Sequence, residues 1–307
     1  NTNWQDQLTS FDNKKIEYDE IGNVINYDDK IFTWINGVQL SSYTDSTNNR
    51  VINYKYNEDG IRISKSSTNL SSKYYLAGDD IVYEIRNGEK IYYLYDDDEL
   101  IGFEYQNNKY LYLKNMHDDI MGIIDSTGEI IVKYEYDSWG NIVSIKDNDN
   151  KNISKTDYNH IANVNPFRYR SYYYDVETEL YYLKSRYYNP LWGRFINADG
   201  IIGANEDFLA YNLYLYVSNN PINNYDDDGN KKKTTKKKKK TKKKKKKKSN
   251  NLLKIGIGLG LAAIGVVAIV ASGGSLAPAV IGAAKVIGVT VGVAVGTQIA
   301  KNIVKSV

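Results

Sequence analysis

The sequence predicts an antiparallel all-β fold for most of the chain, built from stacked hairpins. Runs such as KIFTWI, RVINYKY, KYLYLK and EIIVKYEY alternate apolar and polar residues, which is typical of strands with one buried face. The word Tyr-Asx-x-x-Gly recurs at Tyr18–Gly22, Tyr56–Gly60 and Tyr136–Gly140 and marks turns between such runs. The chain also holds 29 tyrosines against 6 phenylalanines. Tyrosine suits strands that are partly exposed to solvent, because its ring packs on the core while its hydroxyl forms a hydrogen bond.

The turn words predict tight hairpins, because Asp or Asn bends the backbone and Gly accepts a positive φ. We expect such turns at Gly22, Gly60, Gly140 and, in a related word, Gly229. A single hairpin cannot bury its apolar face, so neighbouring hairpins must stack. Two interpretations stay open from the residues alone: a shell that encloses cargo, and a plain twisted sheet without a cavity.

Residues 165–229 carry a long ordered series of words. They are PFRYRSYYYD at Pro166–Asp175, LYYLKSRYYNPLWGRFINAD at Leu180–Asp199, and NNPINNYDDDG at Asn219–Gly229. This series closely resembles the RHS repeat-associated core, which closes the YD-repeat shell of polymorphic toxins; the teneurin YD shell is a relative. The resemblance covers roughly residues 11–229 and implies an all-β YD-repeat hairpin shell. Shells of this family have many more units, so we expect further units to precede residue 1.

The resemblance also implies a catalytic role for three residues. The RHS core of secreted toxins often acts as an aspartic autoprotease that releases the C-terminal domain. Carried over onto this chain, the motif arginine matches Arg186, and the two catalytic aspartates match Asp199 and Asp226. Two carboxylates held close together cannot both ionise cheaply, so one keeps its proton while the other activates water. An arginine would hold the ionised carboxylate in place.

The two aspartate words depart from the family pattern, which has a proline after each catalytic aspartate. Asp199 precedes Gly-Ile-Ile, and Asp226 precedes Asp-Asp-Gly. Two interpretations of the second word therefore stay open: a catalytic aspartate, or only the last turn of the shell. If the core cleaves, we expect the broken bond to lie just after Gly229 or Asn230, where the composition changes.

Other candidate chemistry is sparse. His117 and His160 have no nucleophile word nearby, so we expect surface or turn roles for both. Acidic pairs such as Asp79 and Asp80 lack the spaced ligands of a calcium loop, and solvated turns are the better interpretation. The chain has no cysteine, which excludes disulfides and Cys-based zinc sites. The sequence predicts no cofactor and no metal site.

The charge is sharply segregated, and all 37 acidic residues precede residue 231. Residues 231–248 contain 15 lysines, a run that repels itself and predicts a disordered tether. Nucleic-acid binding, binding to anionic lipid and a nuclear address compete as roles for this run, and a solvated linker is the alternative. We expect four domains: 1–164 shell, 165–230 core, 231–250 polylysine linker and 251–307 hydrophobic tail.

The tail predicts an α-helical hydrophobic hairpin that inserts into a membrane. Residues 252–271 and 279–300 are apolar stretches long enough to cross a bilayer as helices, separated by a Gly-, Ser- and Pro-containing turn. Small residues at helical spacing let helix backbones approach closely in lipid. The predicted packing glycines are Gly256, Gly260, Gly288, Gly292 and Gly296. A pair of buried helices in a soluble domain is the alternative.

The sequence therefore predicts a secreted or cell-surface polymorphic toxin whose shell presents a membrane-active segment. The competing hypothesis is a YD-repeat protein that binds surface carbohydrate and uses the tail as an anchor. A second rival, an enzymatic toxin domain, is disfavoured because residues 231–307 contain no His, Asp, Glu or Cys. Expected partners are anionic membrane lipids through the tail, an immunity protein and carbohydrate, with no specific nucleic acid.

Overall fold

A computed structural model describes residues 5–200, 212–230 and 232–234 of the chain. Fifteen strands form one antiparallel sheet in which each strand pairs with the next along the chain. The strands are β1 Ser10–Phe11, β2 Lys14–Tyr18, β3 Val24–Tyr27, β4 Lys30–Ile35, β5 Gln39–Asp45, β6 Arg50–Tyr56, β7 Arg62–Ser67, β8 Leu70–Ala77, β9 Asp80–Arg86, β10 Glu89–Asp96, β11 Glu99–Tyr105, β12 Asn108–Lys114, β13 Ile120–Ile124, β14 Ile130–Tyr136 and β15 Ile142–Asp147. The predicted antiparallel hairpin architecture is confirmed for this region.

The turn words form hairpin turns, as predicted. In the first word the Asp19 carboxylate accepts a hydrogen bond from the Asn23 amide at 2.7 Å, and in the third Asp137 accepts one from Asn141 at 2.9 Å. The closing glycines have positive φ: 90° at Gly22, 78° at Gly60, 91° at Gly140 and 76° at Gly229. A residue with a Cβ rarely adopts this conformation, which explains the recurring glycine.

The tyrosine of each turn word sits at a β-bulge. The strand register shifts immediately before Tyr18, Tyr56 and Tyr136, and such bulges increase the local twist of a sheet. The ring then packs on the core while the hydroxyl reaches an earlier part of the chain. Tyr56 donates to the Leu40 carbonyl at 2.9 Å, and Tyr136 donates to the Ile120 carbonyl at 2.8 Å. Phenylalanine would leave these carbonyls without that donor.

A second, smaller group of elements follows the large sheet. It begins with the short helix α1 and continues with a four-stranded antiparallel sheet and a two-stranded one. The elements are α1 Ile161–Val164, β16 Tyr173–Asp175, β17 Leu180–Tyr182, β18 Tyr187–Asn189, β19 Arg194–Phe195, β20 Asn224–Asp226 and β21 Lys232–Thr234. Strand β21 belongs to the predicted polylysine linker, of which residues 231 and 235–250 lie outside the described residues.

The smaller sheet packs on the buried face of the large one, and the two share one hydrophobic core. Ile52 and Tyr74 from the large sheet belong to the same buried cluster as Tyr182, Tyr187 and Ile196. Tyrosines dominate this interface, where each buried ring removes a large apolar area from water. The core segment is therefore held against the sheet by packing along much of its length.

Buried charges also join the two sheets. Arg62 on β7 donates two hydrogen bonds to Asp175 on β16, at 2.5 and 3.1 Å, and both side chains are fully buried. Lys65 contacts the same carboxylate at 2.9 Å and Glu177 at 2.8 Å. The guanidinium carbon of Arg62 also lies 4.3 Å from the ring centre of Tyr182. Because an unpaired buried charge is costly, this network fixes where the core segment docks.

The predicted membrane tail lies outside the described residues. Gly256, Gly260, Gly288, Gly292 and Gly296 all fall in that part of the chain. Within residues 5–200, 212–230 and 232–234, no helix combines the length and the apolar character that a bilayer span requires.

Candidate self-cleavage site

The structure brings the three predicted catalytic residues together. Nη2 of Arg186 lies 3.1 Å from Oδ2 of Asp199 and 3.8 Å from Oδ2 of Asp226. Arg186 precedes β18, Asp199 follows β19, and Asp226 ends β20, so three separate segments supply the group. The exposed fractions of the side chains are 6% for Arg186, 16% for Asp199 and 3% for Asp226. One buried guanidinium nitrogen thus faces both carboxylates.

The remaining donors of Arg186 are directed at backbone carbonyls. Nη1 donates to the Leu213 carbonyl at 3.2 Å, and Nε donates to the Gly229 carbonyl. The guanidinium carbon lies 3.7 Å from the ring centre of Phe195, which covers one face of the group. Burial lowers the pKa of Arg186, and the charges of Asp199 and Asp226 oppose that effect. The arginine is therefore fixed by contacts on every side.

Asp226 is the carboxyl group with the more perturbed environment. Burial, with a further contribution from the Asp228 charge, raises the pKa of Asp226 to about 6, although Arg186 acts in the opposite direction. Its Oδ1 accepts hydrogen bonds from the Gly229 amide at 2.9 Å and the Asp228 amide at 3.3 Å. Its own backbone amide donates to the Tyr172 hydroxyl at 3.0 Å. A carboxyl group of this kind holds its proton over a wider pH range than an exposed aspartate.

The predicted cleavage region forms the turn between β20 and β21. Asp226 pairs with Lys232 across this hairpin, and Lys233 forms an ion pair with Asp227 at 3.0 Å. At Gly229 a Cβ would lie 2.7 Å from the Leu183 carbonyl oxygen, so only glycine fits. The candidate bond after Gly229 therefore lies in a turn whose backbone is tightly held beside the aspartates. The bond after Asn230 leads to residue 231, which lies outside the described residues.

Sequence reasoning did not identify three residues that shape this site. Lys184 and Ser185 precede the motif arginine, and Tyr172 lies in the PFRYRSYYYD word. Ser185 donates to the Asp228 carbonyl through its hydroxyl at 2.6 Å and its amide at 3.2 Å. Both contacts end on a backbone oxygen that is distant from Ser185 in sequence. Only the adjacency of Lys184 and Ser185 to Arg186 could have drawn attention to them.

Curated relatives of the chain include proteins of Bacillus. The tRNA nuclease WapA of Bacillus subtilis strain 168 is 36% identical over 230 residues, covering 73% of this chain and 9% of that protein. The tRNA3(Ser)-specific nuclease WapA of Bacillus spizizenii is 35% identical over 230 residues, with the same coverage. This chain thus spans only about a tenth of the length of these relatives.

Solved structures with a similar fold include the following two. The crystal structure of TcdB2-TccC3 superposes with a TM-score of 0.52 and 20% identity, covering 69% of this chain and 11% of that one. A structure of the Photorhabdus luminescens Tc holotoxin pore gives 0.51 and 21%, covering 69% and 10% of the two chains. At these identities the similarity concerns the fold alone.

A family model provides the assignment. The model described as the teneurin YD-shell matches residues 2–222, which include the fifteen-stranded sheet and most of the core segment. The similarity to RHS-type proteins predicted from the core words is confirmed by this match and by the similarity to the Tc toxin structures. The chain belongs to the teneurin YD-shell family.

Proposed function

We propose that the chain is an RHS-type toxin whose core cuts the backbone just after Gly229 or Asn230 and so frees the lysine-rich C-terminal segment. One observation carries the proposal: a buried arginine faces both predicted catalytic carboxylates and also donates to the Gly229 carbonyl. A donor on the carbonyl oxygen polarises the bond that water attacks. One structure with the same fold is described as a Tc holotoxin pore, which agrees with a toxin role.

The proposed reaction is hydrolysis of one peptide bond. Asp199, which is more exposed than Asp226, takes a proton from water, and the water oxygen attacks the carbonyl carbon. For cleavage after Gly229, Arg186 stabilises the oxyanion that forms on the Gly229 carbonyl. Asp226 in its protonated form donates to the leaving nitrogen, so the carbon–nitrogen bond breaks to give a carboxylic acid and an amine. The raised pKa of Asp226 suits it to this role below pH 6.

The test is intact-mass analysis of the full chain made by cell-free synthesis. Wild type should yield fragments that end at Gly229 or Asn230, whereas Asp199→Asn and Asp226→Asn should stay whole. Asp149→Asn is the matched control, because this exposed residue after β15 pairs with Lys151, is not part of the site and should cleave like wild type. The rate should fall as the pH rises through about 6, as Asp226 loses its proton. A wild-type chain that stays whole would refute the proposal.

The released segment is proposed to act on membranes. This rests on the two apolar stretches at 252–271 and 279–300 behind a run of 15 lysines. The lysines would draw the segment to anionic lipid, at about 1 kcal/mol for each lysine near the surface. RHS-type shell proteins are generally secreted or found at the cell surface, so an immunity protein in the producing cell is a partner of the same proposal.

Dye release from anionic vesicles tests this part of the proposal. The full chain should bind the vesicles and release the dye. Replacing the lysines with serine should weaken binding to the vesicles and remove the salt dependence of that binding. Replacing three glycines with leucine should leave membrane binding intact and abolish dye release, because the helices can no longer pack closely. These glycines are Gly288, Gly292 and Gly296. Equal leakage by the triple variant would favour a simple anchor.

A second candidate function, carbohydrate binding, is favoured by one groove. A cavity of about 460 Å³ lies between the β14–β15 turn and the segment before β19, and Trp139 and Trp192 line it. Asp137, Asn141 and Arg194 also line it, a combination of indole rings and polar groups suited to a sugar ring. Tryptophan fluorescence titrated with oligosaccharides tests this, because the chain has only 4 tryptophans. The signal should vanish in Trp139→Ala; no response to any glycan would eliminate this function.

A further inference from the structure

Two tight turns face each other at the candidate self-cleavage site. The first runs from Leu183 to Arg186, where the Leu183 amide donates to the Arg186 carbonyl at 2.9 Å. The second runs from Asp226 to Gly229, where the Asp226 carboxylate accepts the Gly229 amide at 2.9 Å. Each turn contains a residue with positive φ, 65° at Lys184 and 76° at Gly229. Both backbones are therefore closely defined where they meet.

Two consecutive residues of the Leu183–Arg186 turn donate hydrogen bonds to two consecutive backbone carbonyls of the Asp226–Gly229 turn. The Ser185 hydroxyl and amide converge on the Asp228 carbonyl at 2.6 and 3.2 Å, while Arg186 donates to the Gly229 carbonyl. Two donors on one oxygen fix the orientation of the Asp228–Gly229 peptide. The Ser185 Oγ would also lie 2.7 Å from a Cβ at Gly229, which leaves no room for the turn to shift towards it.

Lys184 connects this pair of turns to the large sheet. Its Nζ lies 2.8 Å from the Asp79 carboxylate and 2.9 Å from the Asp80 carboxylate, both at the β8–β9 turn. The side chain is only 25% exposed, so solvent screens the ion pairs less than it would on an open surface. A left-handed backbone at a lysine is unfavourable and persists only when surrounding contacts enforce it. The two aspartates supply such contacts.

We propose that Lys184 and Ser185 are positioning residues for self-cleavage, which tie the turn that is cut to the β8–β9 turn of the sheet. Lys184 fixes the Leu183–Arg186 turn on the sheet through its ion pairs. Ser185 then holds the Asp228 carbonyl against that turn through its hydrogen bonds. The turn that is cut is therefore correctly oriented towards Arg186, Asp199 and Asp226 only when Lys184 contacts the β8–β9 turn. Cleavage is thereby coupled to the assembled sheet. This inference rests on the proposed self-cleavage.

The expected effect is on rate rather than on protonation. Ser185→Ala removes the shorter of two bonds to the Asp228 carbonyl and should slow first-order cleavage about tenfold. Lys184→Gln should slow it about threefold, because these ion pairs are partly exposed. The pH at which the rate halves should stay that of wild type in both variants, since neither residue donates or accepts the proton.

Pulse-labelled cell-free synthesis of the full chain measures the cleavage rate. Lys155→Gln is the matched control, because it removes an exposed ion pair with Glu179 at 3.2 Å that involves neither of the two turns. Lys184→Arg keeps the cation and should restore the rate. Melting temperatures are compared in an Asp199→Asn background, where every chain stays whole, and should differ little.

The outcomes separate the two proposals. If wild type stays whole, self-cleavage itself fails. If wild type is cut and Ser185→Ala is cut as fast as Lys155→Gln, the positioning role is refuted while self-cleavage stands. If Lys184→Arg is as slow as Lys184→Gln, the link to the β8–β9 turn is refuted. A slow variant with an unchanged pH midpoint and melting temperature supports the inference.

Discussion

Replacing Asp226 with asparagine should make the stability of the chain less dependent on pH. The pKa of Asp226 is raised from 3.8 to about 6, chiefly by burial. A group whose pKa is raised on folding contributes stability that is fully present below about pH 4. That contribution is lost as the pH rises through about 6. Asparagine stays neutral at every pH and keeps Oδ1 as the acceptor for the Gly229 amide.

The size of the effect follows from the shift. Two pKa units correspond to about 3 kcal/mol, so the stability gap between variant and reference should widen by that amount between pH 4 and pH 7. For a folded body of this size, each kcal/mol moves the melting temperature by about 2–4 °C. The difference in melting temperature should therefore grow by about 6–12 °C in favour of the asparagine variant.

Near-ultraviolet circular dichroism of the buried tyrosines follows the unfolding. Reference and variant both carry Asp199→Asn, so that neither chain is expected to cleave. Asp227→Asn in the same background controls for the loss of one negative charge, because its side chain is 49% exposed. If the gap between variant and reference is the same at pH 4 and pH 7, the reasoning about a buried, proton-holding carboxyl group is wrong.

Three further changes test the surrounding structure. Asp175→Asn should cost about 3–5 kcal/mol in denaturant unfolding, because it leaves Arg62 buried without its partner; a loss below 1 kcal/mol would contradict this. Gly229→Ala should abolish cleavage without unfolding the sheet, since its Cβ meets the Leu183 carbonyl; normal cleavage would contradict the geometry. Tyr136→Phe should cost about 1 kcal/mol through the lost Ile120 hydrogen bond, and no loss would show that the bond is weak.

The hairpins could be predicted because their information is local. Each turn word contains its own acceptor and its own glycine, as at Asp19 and Gly22, so the word alone defines the turn. Buried charges could not be predicted in this way. Arg62 and Lys65 both lie on the buried face although they are three residues apart, because the bulge opposite Tyr56 inserts Ile63 and breaks the alternation. Their partner Asp175 follows more than a hundred residues later.

The parts of the site that could be predicted are those whose side chains belong to a recognisable sequence motif. Arg186, Asp199 and Asp226 were found from such words and lie together, while their catalytic roles stay predictions. The role of Ser185 could not be predicted because its partner is a backbone oxygen, and every residue type has the same backbone oxygen. Lys184 was not found because its partners, at the β8–β9 turn, are about a hundred residues away along the chain.

The two interpretations of the last turn word, catalytic aspartate or shell turn, are compatible in the structure. Asp226 accepts amide hydrogen bonds through Oδ1 in the same manner as Asp137 in an ordinary hairpin turn. Its other oxygen, Oδ2, faces Arg186. The two aspartates differ in burial, since Asp137 is exposed and Asp226 is buried. Burial of the turn therefore raises the pKa of the Asp226 carboxyl group, against the opposite effect of the Arg186 charge, and this distinguishes Asp226 from the aspartates of exposed turns.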